Sequence, residues 1–131
     1  MARATLQSDR DECIEDCLDC YRSCTETAMT HCLQAGGEHV EPEHFRLMLN
    51  CAQICRTAAD FLLSDSEFDA RICALCEEVC EACADSCRAI GGMDDCVTAC
   101  EVCAESCAAM DTHSRPVQQE SALTHPKSLL P

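Results

Sequence analysis

Sixteen of the 131 residues are cysteine, and most of them fall on one repeating step. The stretches "CIEDCLDCYRSC" (13–24), "CEEVCEACADSC" (76–87) and "CVTACEVCAESC" (96–107) all fit C-x3-C-x2-C-x3-C. Steps of four, three and four are those of the inward seam of a helix in a bundle. Cysteine therefore occupies the positions where leucine would normally sit. One buried cysteine is usually a small hydrophobe, but that reading does not extend to sixteen on a single period, because thiols pack no better than leucine and oxidise more readily. Disulfides, thiol redox exchange, zinc coordination and soft-metal storage remain.

Disulfides fit poorly. Residues three or four apart on a helix have Cβ atoms about 5–6 Å apart, whereas a disulfide wants about 3.5–4.5 Å. Bonds between helices belong to oxidising surroundings. Redox enzymes place C-x-x-C at a helix N-terminus, where the dipole lowers a thiol pKa. The four such pairs here (Cys17/Cys20, Cys73/Cys76, Cys80/Cys83 and Cys100/Cys103) are subsets of the longer pattern, mostly mid-helix among acidic residues. Zinc takes four ligands, usually from two knuckle pairs brought together by loops. Sixteen thiolates around four Zn²⁺ would also leave the core eight charges negative inside a chain already at −15. Sixteen Cu⁺ would leave it neutral, and buried uncompensated charge costs several kcal/mol per ion. Thiolate and thioether also select Cu(I) by softness. The pattern favours Cu(I); the alternatives are a zinc buffer with a few four-cysteine sites, a thiol redox protein or a disulfide-stapled structural bundle.

These residues need helices to position them, and the breakers divide the chain into four. The first spans about Asp9 to Leu33 and stops at Gly36-Gly37. The second starts at Pro42, suited to a first turn, and runs to about Leu63. Ser64-x-x-Glu67 reads as a capping box opening the third, which ends before Gly91-Gly92. The fourth begins near Met93, has Asp94 and Asp95 where carboxylates favour the helix dipole, and fades by Met110. The expectation is an all-α, antiparallel up-down-up-down four-helix bundle with a cysteine-lined core, folded before metal arrives. Residues 1–8 form an N-terminal segment, 9–113 the bundle and 114–131 a disordered tail. His44, Met48, Cys51, Cys55, Ala58 and Leu62 continue the seam on the second helix. Ile14, Leu18, Ile72, Leu75, Val79, Val97 and Val102 should supply flanking packing.

The C-x3-C-x2-C-x3-C motif, repeated on three of the four expected helices, resembles the bacterial cytosolic copper-storage proteins, four-helix bundles whose tube-like interior holds many Cu(I) ions on thiolates. The resemblance covers about residues 9–113 and implies that the ligands are Cys13, Cys17, Cys20, Cys24, Cys32, Cys51, Cys55, Cys73, Cys76, Cys80, Cys83, Cys87, Cys96, Cys100, Cys103 and Cys107. It implies a homo-oligomer, a tetramer, in the cytoplasm, because exported members carry a signal that "MARATLQSDRDE" does not show. Copper ions are the expected partner, with a copper chaperone or a low-molecular-weight thiol as candidate donors. Two departures stand out. The second helix carries only two cysteines, and Cys32 lies eight residues beyond Cys24, where strict spacing would turn His31 inward instead.

In such a bundle one end collects His31, Cys32, His44, Met48, Cys87 and Met93, soft or borderline ligands that could pass Cu(I) inward. The other end, with Leu6, Leu62 and Cys13 near Met110 and His113, reads as plugged. His31, His44, Met48, Met93, Met110 and His113 are thus candidate auxiliary ligands, while His39 and His125 read as loop and tail residues. The acidic balance excludes a nucleic-acid footprint. No apolar run reaches the eighteen residues of a membrane span. G-x-S-x-G, H-E-x-x-H and phosphate-loop motifs are missing, so no enzyme is expected.

Overall fold

The computed structural model describes residues 2–112, which form an all-α four-helix bundle. α1 (Ala2–Glu26) runs on through a π-helical segment, Thr27–Cys32, and a last α-helical turn, Leu33–Ala35. A 3₁₀ turn (Gly37–Val40) leads into α2 (Pro42–Leu63), followed by α3 (Asp69–Ile90) and α4 (Asp94–Thr112). Short connections force sequential helices to be antiparallel neighbours. Each helix packs on two others, α1 on α2 and α4, and α3 on α2 and α4, which closes a four-sided tube. No helix among the described residues is long and apolar enough to cross a membrane.

The helix ends are built from local chemistry. Pro42 opens α2 with its fixed φ and no donor to satisfy. Gly91 and Gly92 close α3 at φ +89° and +81°, a left-handed region that a Cβ would disfavour, and the Gly91 N–H donates to Cys87 O at 2.9 Å. The expected capping box is not formed. Ser64 instead ends α2, its hydroxyl donating to Phe61 O at 3.1 Å. Asp65 then takes φ +55°, and Ser66 Oγ accepts the Phe68 N–H at 3.0 Å. A polar turn over 64–68 therefore replaces the first helical turn, and α3 starts at Asp69. α1 also begins earlier than expected, at Ala2 instead of about Asp9. The expected tail, 114–131, lies outside the described residues.

All sixteen cysteines are fully buried on the tube axis. Met48, Ala52, Ala58, Ala59, Leu62, Ala84 and Ala104 fill the space between them. Ile14, Ile72, Val79 and Val97 flank this core as expected, but Leu18, Leu75 and Val102 are exposed. At the closed end Arg10, on α1, donates to Leu62 O at 3.3 Å and pairs with Asp69 at 3.0 Å and Asp65 at 3.4 Å. Asp69 is 8% exposed, so this clasp is shielded from water in a way that the Arg22–Glu26 pair is not. Metal-free, reduced protein should give a helical circular dichroism spectrum and unfold cooperatively. Arg10→Ala should then lower stability by about 2 kcal/mol, because it strands a buried carboxylate; Arg22→Ala should change it by less than about 0.5 kcal/mol. Denaturant midpoints would distinguish them.

Candidate metal centre

The seams of the four helices bring their sulfur atoms into mutual contact. Starting at the closed end, Cys13 Sγ lies 3.9 Å from Cys17 and 3.8 Å from Cys107. Cys103 then meets Cys17 at 3.6 Å and Cys55 at 3.7 Å. Cys55 touches Cys76 at 3.7 Å and Cys80 at 3.5 Å. Cys80 reaches Cys51 at 3.7 Å, and Cys51 reaches Cys20 and Cys100 at 3.9 Å each. Cys24 sits 3.6 Å from Cys100 and 3.5 Å from Cys96. Cys73 joins Cys13 and Cys107 in a group of three. None of these separations is a bond, which needs about 2.05 Å, and every cysteine is a free thiol.

The column ends in thioethers. Met48 Sδ lies 3.6 Å from Cys83 and 3.4 Å from Cys87, and Met93 Sδ lies 3.7 Å from Cys32. Burial pushes the Cys32 thiol up, with Cys96 adding to the effect. Inside the column, hydrogen bonds split neighbours apart. Cys24 is held protonated chiefly through its bond with Cys100, while Cys100 is pushed down by the thiols of Cys20 and Cys24. The metal-free interior thus shares protons along a row of sulfurs, each a potential thiolate.

The sequence family described as copper storage protein matches residues 6–113. The chain belongs to the copper storage protein family. Several solved structures are similar to it. The Nmul_A1745 protein from Nitrosospira multiformis is 48% identical, with a TM-score of 0.81 over 82% of this chain and 99% of that one. The Cu(I)-bound copper storage protein BsCsp3 is 37% identical, with a TM-score of 0.73 over 79% and 98%. Apo copper storage protein 3 from Bacillus subtilis is 39% identical, with a TM-score of 0.68 over 77% and 97%.

Within this copper storage family fold, the structure brings together all sixteen cysteines, along with Met48 and Met93. Cys32 faces inward, and His31 outward, because of the π segment. A π turn takes up one extra residue, so Ala28 and Cys32 both stay on the axis at steps of four from Cys24. Met110 is buried at the closed end, whereas His113 lies outside the described residues. At the open end His44 is buried on the seam of α2. Its Nδ1 lies 2.7 Å from Ser86 Oγ, and its Nε2 is buried with no hydrogen-bond partner. Burial, and secondarily His39, holds this imidazole neutral. His39, which the sequence places in a loop, packs edge-on against His31 with ring centroids 4.9 Å apart. The Gly36-Gly37 turn that folds the chain back between them is the available signal. Ser86 carries none, since its spacing is off the seam.

Deleting Met29, an exposed residue of the π segment, should let the helix close as regular α and keep Cys32 inside. All the thiols should stay shielded from alkylation and copper capacity should be unchanged. Deleting Leu18 instead rotates one half of the α1 seam by about 100° and should expose cysteines to the same reagent.

Proposed function

We propose that this protein takes up many Cu(I) ions on the thiolates of its core and holds them until they are needed. The observation that carries this reading is the unbroken run of free, buried, mutually touching thiols. Monovalent ions neutralise thiolates one for one, so a full column places no net charge in the interior. Two-coordinate Cu(I) can bridge sulfurs on neighbouring helices. The Cu(I)-bound relative, 37% identical over nearly its whole length, supports the same cargo here. The ligands we assign are the sixteen cysteines, with residues 9–113 as the storing unit. The work is binding and release, not catalysis. A reducing compartment, the cytoplasm, suits a store made of unprotected thiols. The exposed apolar side chains Leu33, Leu63 and Phe68 suit contacts between copies, in line with a tetramer in which each bundle is its own store. A copper chaperone or a low-molecular-weight thiol would be a suitable donor.

Ions enter in this reading at the end holding His31, Cys32, His44, Met48, Cys87 and Met93. Thr27, His31, Gly92, Met93 and Cys96 line an open depression there. At the opposite end Leu62 and Met110 are buried beneath the Arg10 clasp.

Anaerobic titration of reduced protein with Cu(I) against a competing chelator should saturate near one ion per thiol, on the order of sixteen. Cys73→Ser should lose about one. Saturation near four would refute a continuous store. The raised Cys32 thiol is protonated at neutral pH, so metal must displace its proton. Apparent copper affinity should therefore fall as pH drops. Replacing His44 and Met48 together by alanine should slow loading and chelator removal while barely changing capacity; stopped-flow rates equal to those of the unmodified protein would refute the mouth.

A further inference from the structure

The sulfur column contains one cluster whose shape departs from a uniform row. Cys20, Cys24, Cys51 and Cys100, drawn from α1, α2 and α4, have all their Sγ atoms within 4.8 Å of one another. Five of the six edges of this quartet fall in a narrow range. Cys20 is 3.9 Å from Cys24, 3.9 Å from Cys51 and 3.7 Å from Cys100. Cys100 is 3.6 Å from Cys24 and 3.9 Å from Cys51. A tetrahedral ion with bonds of about 2.3 Å to sulfur requires S···S edges of about 3.8 Å. The sixth edge, Cys24–Cys51, is within 4.8 Å, so an ion at the centre of this quartet needs at most that one edge to close.

We infer that this quartet, in the metal-free protein, is a preformed tetrahedral site for one divalent thiophilic cation, Zn²⁺ or Cd²⁺, which would share these four thiols with the Cu(I) cargo of the proposed store. Two other cysteine quartets exist among the described residues, but neither is its equal. Cys20, Cys55, Cys80 and Cys103 have close edges only from Cys55, at 3.5 Å to Cys80 and 3.7 Å to Cys103. Cys17, Cys76, Cys103 and Cys107 have close edges only at 3.6 and 3.8 Å from Cys17. One divalent ion on four thiolates leaves two negative charges, far fewer than filling the column with such ions would leave. Neighbouring thiols can offset that remainder. Cys96, 3.5 Å from Cys24, is placed to donate S–H to the bound thiolate. Binding releases the quartet's thiol protons to solvent and changes no oxidation state.

The test uses the full chain, reduced and metal-free, titrated with Zn²⁺ against a chromophoric chelator and with ¹¹³Cd²⁺ by NMR. The expected result is one tight equivalent per chain and one cadmium resonance in the all-sulfur range. Cys51→Ser/Cys100→Ser should weaken that equivalent by more than the roughly 100-fold that loss of an outer-sphere partner costs, while Cys76→Ser should leave it intact. Absence of tight Zn²⁺ binding overturns the proposal, as does tight binding that survives the double substitution or disappears with Cys76→Ser. Parallel Cu(I) titrations keep the two ideas apart. Cu(I) uptake near one per thiol without tight zinc removes only the divalent site; loss of both removes the storage reading as well.

Discussion

Everything in this molecule follows from the demand that sulfur atoms from four helices touch along one axis. Contacts of 3.5–3.9 Å between thiols along the seams leave no room for large side chains there. Cysteine and alanine meet that demand because both are small. The chain carries no Trp, one Tyr and three Phe, and two of those aromatics, Tyr21 and Phe45, pack beside the core instead of within it. Core packing and ligand supply are thus the same set of atoms. The acidic groups that give the chain its charge of −15 are displaced to the outside, as at Glu81, Glu101 and Glu105, which are all exposed.

The two ends of the tube carry different chemistry. At one end a guanidinium reaches from α1 across the α2–α3 turn, and aliphatic and thioether groups fill the space beneath it. At the other the connections are glycine turns, and imidazole and thioether side chains gather beside the last thiols. His44 is held on one nitrogen by Ser86 and left open on the other, an arrangement by which proteins commonly fix a ring for a ligand.

The seams are legible in the sequence because their period is enforced by packing. The positions of Cys13 to Cys24, Cys73 to Cys87, Cys96 to Cys107 and the α2 series His44 to Leu62 all follow from counting threes and fours. Features set by turn geometry are not legible in this way. Ser64 and Glu67 have the spacing of a capping box, yet the backbone turns left-handed at Asp65 and the helix starts later. Arg10 is silent, since a clasp formed across 59 residues to Asp69 leaves no local pattern. The pairing of His39 with His31 leaves only an indirect trace, the Gly36-Gly37 turn that reverses the chain between them.

The π segment bears on the length of the tube. A straight α-helix drifts by about 20° per heptad from a strict seven-residue seam, so a long row of ligands slowly winds off the axis. The first helix is the longest, running in effect from Ala2 to Ala35, and is the one that would drift furthest. At Thr27–Cys32 the π turn absorbs one inserted residue, so Cys32 stays on the axis although it lies eight residues beyond Cys24 instead of seven. A seam of ligands can therefore take an inserted residue without losing its alignment, provided the backbone absorbs it within one turn.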